Sequence, residues 1–180
     1  MAIPDADIRS VARHEAAHAV IWWWWVNRPE GMDYGSCGWF DCTTIRTDPE
    51  RPSRRGYTHM DAGAILEYAH WRSHLEHLLA GILAGPESNR LLGIHDGSHY
   101  DETAAPQYAK RWLARHDKTG RVADSIVDEA IDLIRPQVAV LLQTLEVVAM
   151  VSAIADALLD RETLTGKDAI EIMRDALGNL

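Results

Sequence analysis

The sequence is short of several features that would mark common protein classes. It has one phenylalanine, two cysteines and no basic excess: 18 Lys and Arg stand against 27 Asp and Glu, a formal net charge of −9. No basic stripe is available to neutralise phosphates, which argues against a nucleic-acid partner, and the same deficit argues against an anionic membrane surface. Cys37 and Cys42 are too few for a disulfide framework, so free thiols in a reducing compartment are expected. Met1-Ala2-Ile3-Pro4-Asp5 lacks the basic and apolar regions of a secretory signal. Long apolar runs without charge are missing too. The most apolar stretch, Val138 to Leu159, carries Gln143, Glu146 and Asp156, so a core helix is expected there instead of a membrane span. With no repeat or low-complexity linker, the expectation is a soluble, cytoplasmic protein of one domain, residues 1–180.

What is present is mostly helical in pattern. With 47% apolar residues in 180, the chain can bury a sizeable core. A first helix is predicted from about Asp5 to Val26, capped by Asp5 or Asp7 and stopped at Arg28-Pro29. Ile8, Val11, His14, His18, Trp22 and Trp25 fall on one broad face at 100° per residue, so both histidines lie in the stripe expected to face the core. Gly31, Gly35 and Gly38 then break the pattern. Trp39–Thr47 and Gly56–Met60 read as short strands around a Pro-containing loop at Asp48–Ser53. Further helices are predicted over about Ala62–Leu92, kinked or divided by Pro86, and over Thr103–His116, with Thr103 as cap and Pro106 in the first turn. The next runs over about Val122–Leu159 and is interrupted near Pro136. Thr165-Gly166-Lys167-Asp168 resembles a capping box that opens a last helix to Leu177. The fold class expected is mainly α (α+β): a multi-helix bundle with a small two- or three-stranded sheet.

One motif carries chemistry. His14-Glu15-Ala16-Ala17-His18 is an HExxH sequence. Residues four apart sit one helical turn above each other, so two imidazoles can reach one ion. Neutral imidazole suits Zn²⁺, and Glu15, about 100° round the helix from His14, can take a proton from a water that the metal activates. A catalytic zinc normally has a third protein ligand and one open position. No histidine follows at the spacing of HExxHxxGxxH, so the third ligand must come from a distant segment. The candidates are Glu67, His70, His74, Glu76, His77, Glu87, His95, Asp96, His99, Asp101, Glu102 and His59, with 95–102 densest in ligand-type side chains. Spacing alone does not choose among them.

Several segments together resemble the peptidase domain of the FtsH-type ATP-dependent zinc proteases. His14–Val20 (HEAAHAV) is similar to the family's HEAGHAV. Thr43-Thr44-Ile45 through Gly56-Tyr57-Thr58 is similar to its VTI…GYT strand pair. Leu79-Ala80-Gly81 through Ala84-Gly85-Pro86-Glu87 is similar to its LxGRxAE helix, and Tyr100-Asp101 with Ala105 and Ala109-Lys110-Arg111 to its NDL…A…AR segment. Ala157-Leu158-Leu159 with Glu162–Gly166 is similar to its ALLExETLxG ending. The resemblance runs in order from about residue 10 onward. It implies a zincin-like active-site helix, Zn²⁺ held by His14, His18 and Asp101, Glu15 as general base, and substrate backbone paired along Gly56, Tyr57, Thr58, His59 and Met60. The family's ATPase module and membrane helices are not in the sequence, so a stand-alone peptidase domain without its own unfolding motor is expected, with a separate ATPase as one candidate partner. Ala17 replaces a glycine, and Gly85-Pro86 or Asn89-Arg90 stand where paired glutamates are usual.

Two rival readings are a zinc-binding scaffold that does not hydrolyse peptides, and a metal-free helical interaction module. Trp22–Trp25 fits either core packing with one surface tryptophan, or a homo-oligomer interface or apolar groove. His70, His74 and His77 are expected on a solvated helix face. His99 and Tyr100 flank Asp101 as candidate supporting groups.

Overall fold

The computed structural model describes residues 5–27, 41–48, 51–59, 71–94, 99–116 and 122–180. The expected class holds: the described residues form six helices and a small antiparallel sheet of three strands. In chain order these are α1 (Asp5–Asn27), β1 (Cys42–Asp48), β2 (Arg51–His59), α2 (Trp71–Leu91), α3 (His99–His116), α4 (Asp124–Leu141), α5 (Leu145–Arg161), β3 (Thr163–Thr165) and α6 (Gly166–Gly178). Cys37, Met60, Glu67, His70, His95 and Asp96 lie outside the described residues, as do the side chains of His74 and His99.

The first helix is more deeply placed than its stripe suggested. Every residue from His14 to Ile21 is buried, so α1 is enclosed on all sides instead of along one face. Ala12, Ala16, Ala17 and Ala19 make this feasible, because their small side chains let neighbouring elements approach closely. One neighbour is α2, itself buried from His77 to Asn89. The two meet closely at Gly81: a Cβ built there would fall 1.5 Å from Trp22 Nε1, so the Trp22 indole occupies the space a side chain would take. Trp25 is buried and Trp22, Trp23 and Trp24 are half-buried against the core.

Three prolines act differently from the sequence expectation. Pro86 lies inside the continuous helix α2 and does not divide it, and Pro136 lies inside α4. The break foreseen near Pro136 falls instead at 142–144, where Thr144 has extended backbone before α5, and the two helices diverge by 82°. The stretch read as one core helix is therefore two. Amphipathic burial explains the continuity of α4: Val127, Ile131, Ile134 and Val138 all face inward across the proline. Pro106 lies in the interior of α3, which starts at His99, and the Thr103 hydroxyl donates to the Tyr100 carbonyl instead of capping the helix. No single helix among the described residues is long and apolar enough to cross a membrane.

The sheet has the order β2-β1-β3. Strand β2 begins at Arg51, so the loop expected over 48–53 shrinks to the connection between the paired Asp48 and Arg51. Pro52 is tolerated because β2 is an edge strand, where a missing N–H leaves no ladder bond unmade. β1 aligns Thr43 with Thr58 on one side and with Leu164 on the other. The third strand comes from the turn after α5, where Glu162 adopts a left-handed φ of 60° and its carbonyl accepts from Ile45 N–H. The capping box at Thr165 forms: its hydroxyl accepts from Asp168 N–H and donates to the Asp168 carboxylate.

Candidate metal centre

Helical spacing stacks His14 and His18 on α1, and their Nε2 atoms stand 3.1 Å apart. Asp101 enters from the first turn of α3, 87 residues away in sequence, and its Oδ2 is 3.0 Å from His14 Nε2 and 3.5 Å from His18 Nε2. All three side chains are buried. A tetrahedral ion bound at about 2.0–2.1 Å holds its donors about 3.3–3.4 Å apart, a spacing these three distances bracket. This buried group can hold a metal ion.

Hydrogen bonding prepares the donors. His18 Nδ1 lies 2.6 Å from the Gly81 carbonyl, which can only accept, so Nδ1 carries the proton and Nε2 keeps its lone pair for a metal. His14 Nδ1 is buried with no hydrogen-bond partner among the described residues. Two imidazole nitrogens and a carboxylate oxygen converging in a buried site repel one another unless a proton or a metal cation stands between them. The electrostatics agree. Burial opposes charge on His18, yet the bond to Asp101, the Asp101 and Glu15 charges and the Gly81 carbonyl outweigh it and raise its pKa. Burial likewise opposes ionisation of Asp101, but its bonds to His14 and His18 hold it well below the usual carboxylate range. The site therefore draws in positive charge.

Room for that charge is made by Gly85, which the sequence reading noted only as a departure from the family pattern and not as part of the site. A Cβ on Gly85 would lie 2.5 Å from His14 Nε2 and 2.5 Å from His18 Nε2. Gly85 thus leaves a recess where a side chain would fill the coordination volume. Its separation of four from Gly81 was the available signal: two glycines on one face of a helix that packs against HExxH.

Glu15 is buried beside this group but is not one of its three donors. Its Oε2 accepts from the Thr58 hydroxyl at 2.8 Å. Gly56, with φ of 82°, lets β2 pass close by: a Cβ there would stand 2.6 Å from Val11 Cγ1 and 2.9 Å from Glu15 Oε1. Gly56 and Thr58 therefore face α1. Tyr57 is half-buried, and His59 is exposed and bonded to Asp41 at 2.8 Å.

The remaining third-ligand candidates whose side chains are described go elsewhere. His77 is buried, not solvated as expected, and its Nε2 donates to the Trp22 carbonyl at 2.8 Å. Glu76 is half-buried on α2 and is not part of the metal group. Glu87 and Glu102 join Arg90 and Arg135 in a four-charge clamp that sequence reading missed. Arg135 forks onto both oxygens of Glu102 (3.1 and 2.7 Å) and reaches Glu87 Oε1 at 2.6 Å. Arg90 bonds both Glu87 and Glu102. The hydrogen bond from Arg135 is the main cause that lowers the Glu102 pKa, and Glu102 in turn raises that of Arg135. The clamp ties α2, α3 and α4 together next to Asp101, fixing the helix that delivers the third donor. Tyr100 is exposed beside it.

No protein-family model matches the chain, and no curated protein matches it in sequence. The centre is therefore read from its own geometry.

Proposed function

We propose that the protein is a zinc-dependent metallopeptidase that cleaves unstructured peptides, with His14, His18 and Asp101 as metal ligands and Glu15 as general base. The observation that carries this reading is the fourth buried group. Glu15 stands beside the three donors, hydrogen-bonded on one oxygen and outside the ligand set. A metal held only for structure is usually closed by four protein ligands and has no need of such a carboxylate. Two imidazoles and one carboxylate suit zinc among the common divalent ions. Bound there, zinc would supply Lewis-acid polarisation and acidify water.

The chain's own residues do the rest. Glu15 takes the proton of the attacking water and passes it to the departing amide nitrogen, so the acid and base roles fall to one carboxylate in turn. The Gly81 carbonyl keeps His18 in the ligating tautomer, and Gly85 keeps the volume open. Substrate backbone would pair with the outer edge of β2 along Gly56–His59. A peptide must be extended to do so, which points to chains already unfolded or unfolded by a separate ATPase. A cytoplasmic location and kinship with FtsH-type peptidases belong to the same proposal.

The burial of all four polar groups favours one alternative, a zinc-binding scaffold without hydrolysis. A quenched fluorogenic peptide, assayed with zinc added and then chelated, separates the two. Glu15→Gln is expected to retain one zinc per chain and lose about 10²–10⁴-fold in turnover. Undiminished cleavage by that variant would remove Glu15 from the role of base.

A further inference from the structure

Glu15 is held by more than its own helix. The Thr58 hydroxyl on β2 lies 2.8 Å from Glu15 Oε2, and the Thr43 hydroxyl on β1 lies 2.9 Å from that of Thr58. Thr43 is fully buried, and the two threonines are directly opposed in the β1–β2 ladder. Each hydroxyl carries a single proton. The Thr58 hydroxyl also lies 3.2 Å from the Glu15 carbonyl, but the carboxylate is nearer and a bond to an ionised acceptor is the stronger kind, so the Thr58 proton goes to Glu15 Oε2. Among the described residues, the Thr43 proton then has the oxygen of Thr58 as its acceptor. The chain of donors runs Thr43 to Thr58 to Glu15, in one direction.

We infer that Thr58 is a positioning residue for Glu15, with Thr43 setting the sense of its hydrogen bond. The inference rests on the peptidase reading and deepens it. Gly56 completes the cradle by bringing β2 against the other carboxylate oxygen. With Oε2 engaged by Thr58, Glu15 is held in one rotamer. The side chain of Thr58 is then committed inward, so at this position the strand can offer a substrate only its backbone.

Two measurements test this, one of which needs no activity. Thr58→Val preserves shape and β-branching while deleting the donor. In a double-mutant cycle with Glu15→Gln, read by chemical denaturation of the metal-free protein, Thr58→Val should lower the folding constant about fivefold more in the presence of Glu15 than alongside Glu15→Gln, because a bond to a charged acceptor is worth more than one to an amide. Additive effects overturn the proposal. In the zinc-loaded protein, Thr58→Val should lower kcat about 10–100-fold at unchanged KM and zinc content, and Thr58→Ser should restore most of it. A change in KM alone, or a serine variant no better than valine, overturns it. Coupling in the cycle with a wild type that cleaves no peptide sinks the hydrolase reading while the positioning contact stands. An active wild type with an additive cycle sinks this inference alone.

Discussion

Replacing Gly85 by alanine tests the metal centre at its tightest point. The added methyl would stand 2.5 Å from His14 Cε1, His14 Nε2 and His18 Nε2. Non-bonded heavy atoms need about 3.5 Å, so the rings and the helix must separate by about 1 Å. Metal–ligand distances tolerate about 0.2 Å, several times less than that displacement. Disturbing groups one step removed from a metal already costs about 10–100-fold in affinity, so a direct intrusion is expected to cost at least 100-fold. Folding should change little by comparison. Alanine gains about 1 kcal/mol over glycine in a helix interior. Overpacking costs about 1–3 kcal/mol. The metal-free protein should therefore lose about 0–2 kcal/mol and keep its helical circular dichroism. Elemental analysis and competition against a chromophoric zinc chelator read the affinity, and urea denaturation reads the fold. A Gly85→Ala protein that holds one zinc per chain at unchanged affinity would refute the account of the site.

Removing the metal should lower stability through mass action, by about 4 kcal/mol when free zinc exceeds its dissociation constant 1,000-fold, visible as a fall in Tm on chelation; Asp101→Ala should abolish this response. Arg135→Met leaves the buried Glu87 carboxylate with Arg90 alone and Glu102 without its fork, and should cost about 1–3 kcal/mol in denaturant unfolding. A loss within experimental error would mean the clamp is neutral. Glu102 has a lowered pKa, chiefly through its hydrogen bond from Arg135. Its contribution is present in full above the ordinary glutamate value of 4.5 and is lost as the pH falls through the lower folded value. Glu102→Gln should therefore flatten the fall in metal-free Tm below about pH 4.5, and an unchanged slope would contradict the assignment.

Much of this arrangement was legible because it is local. The turn that stacks His14 on His18, the α1 boundaries and the Thr165 cap all depend on neighbours within four residues. Asp101 was not: spacing left a dozen candidates, and a carboxylate 87 residues away is selected by how α3 packs, which periodicity does not encode. The resemblance pointed to it, and the geometry brings it to the histidines. The prolines misled for a related reason, since the inward faces of α2 and α4 outweigh one missing N–H in each. His77 looked like part of a solvated run, yet the deep placement of α2 turns it onto the Trp22 carbonyl. The Arg135 clamp escaped notice because its members come from three helices, and only Glu87 and Arg90, three apart, show a local sign of it.

The closing strand has a consequence for how the protein comes into being. β3 braces β1, and Glu162 binds back to Thr44 across 118 residues. Ribosomes deliver amino acids at about 5–20 per second, so β1 emerges roughly 6–24 s before the residues that brace it. During translation the helix that carries His14, Glu15 and His18 exists before the scaffold behind Thr58 does. The brace behind the sheet that sets Thr58 against Glu15 is thus among the later contacts to form as this chain is made.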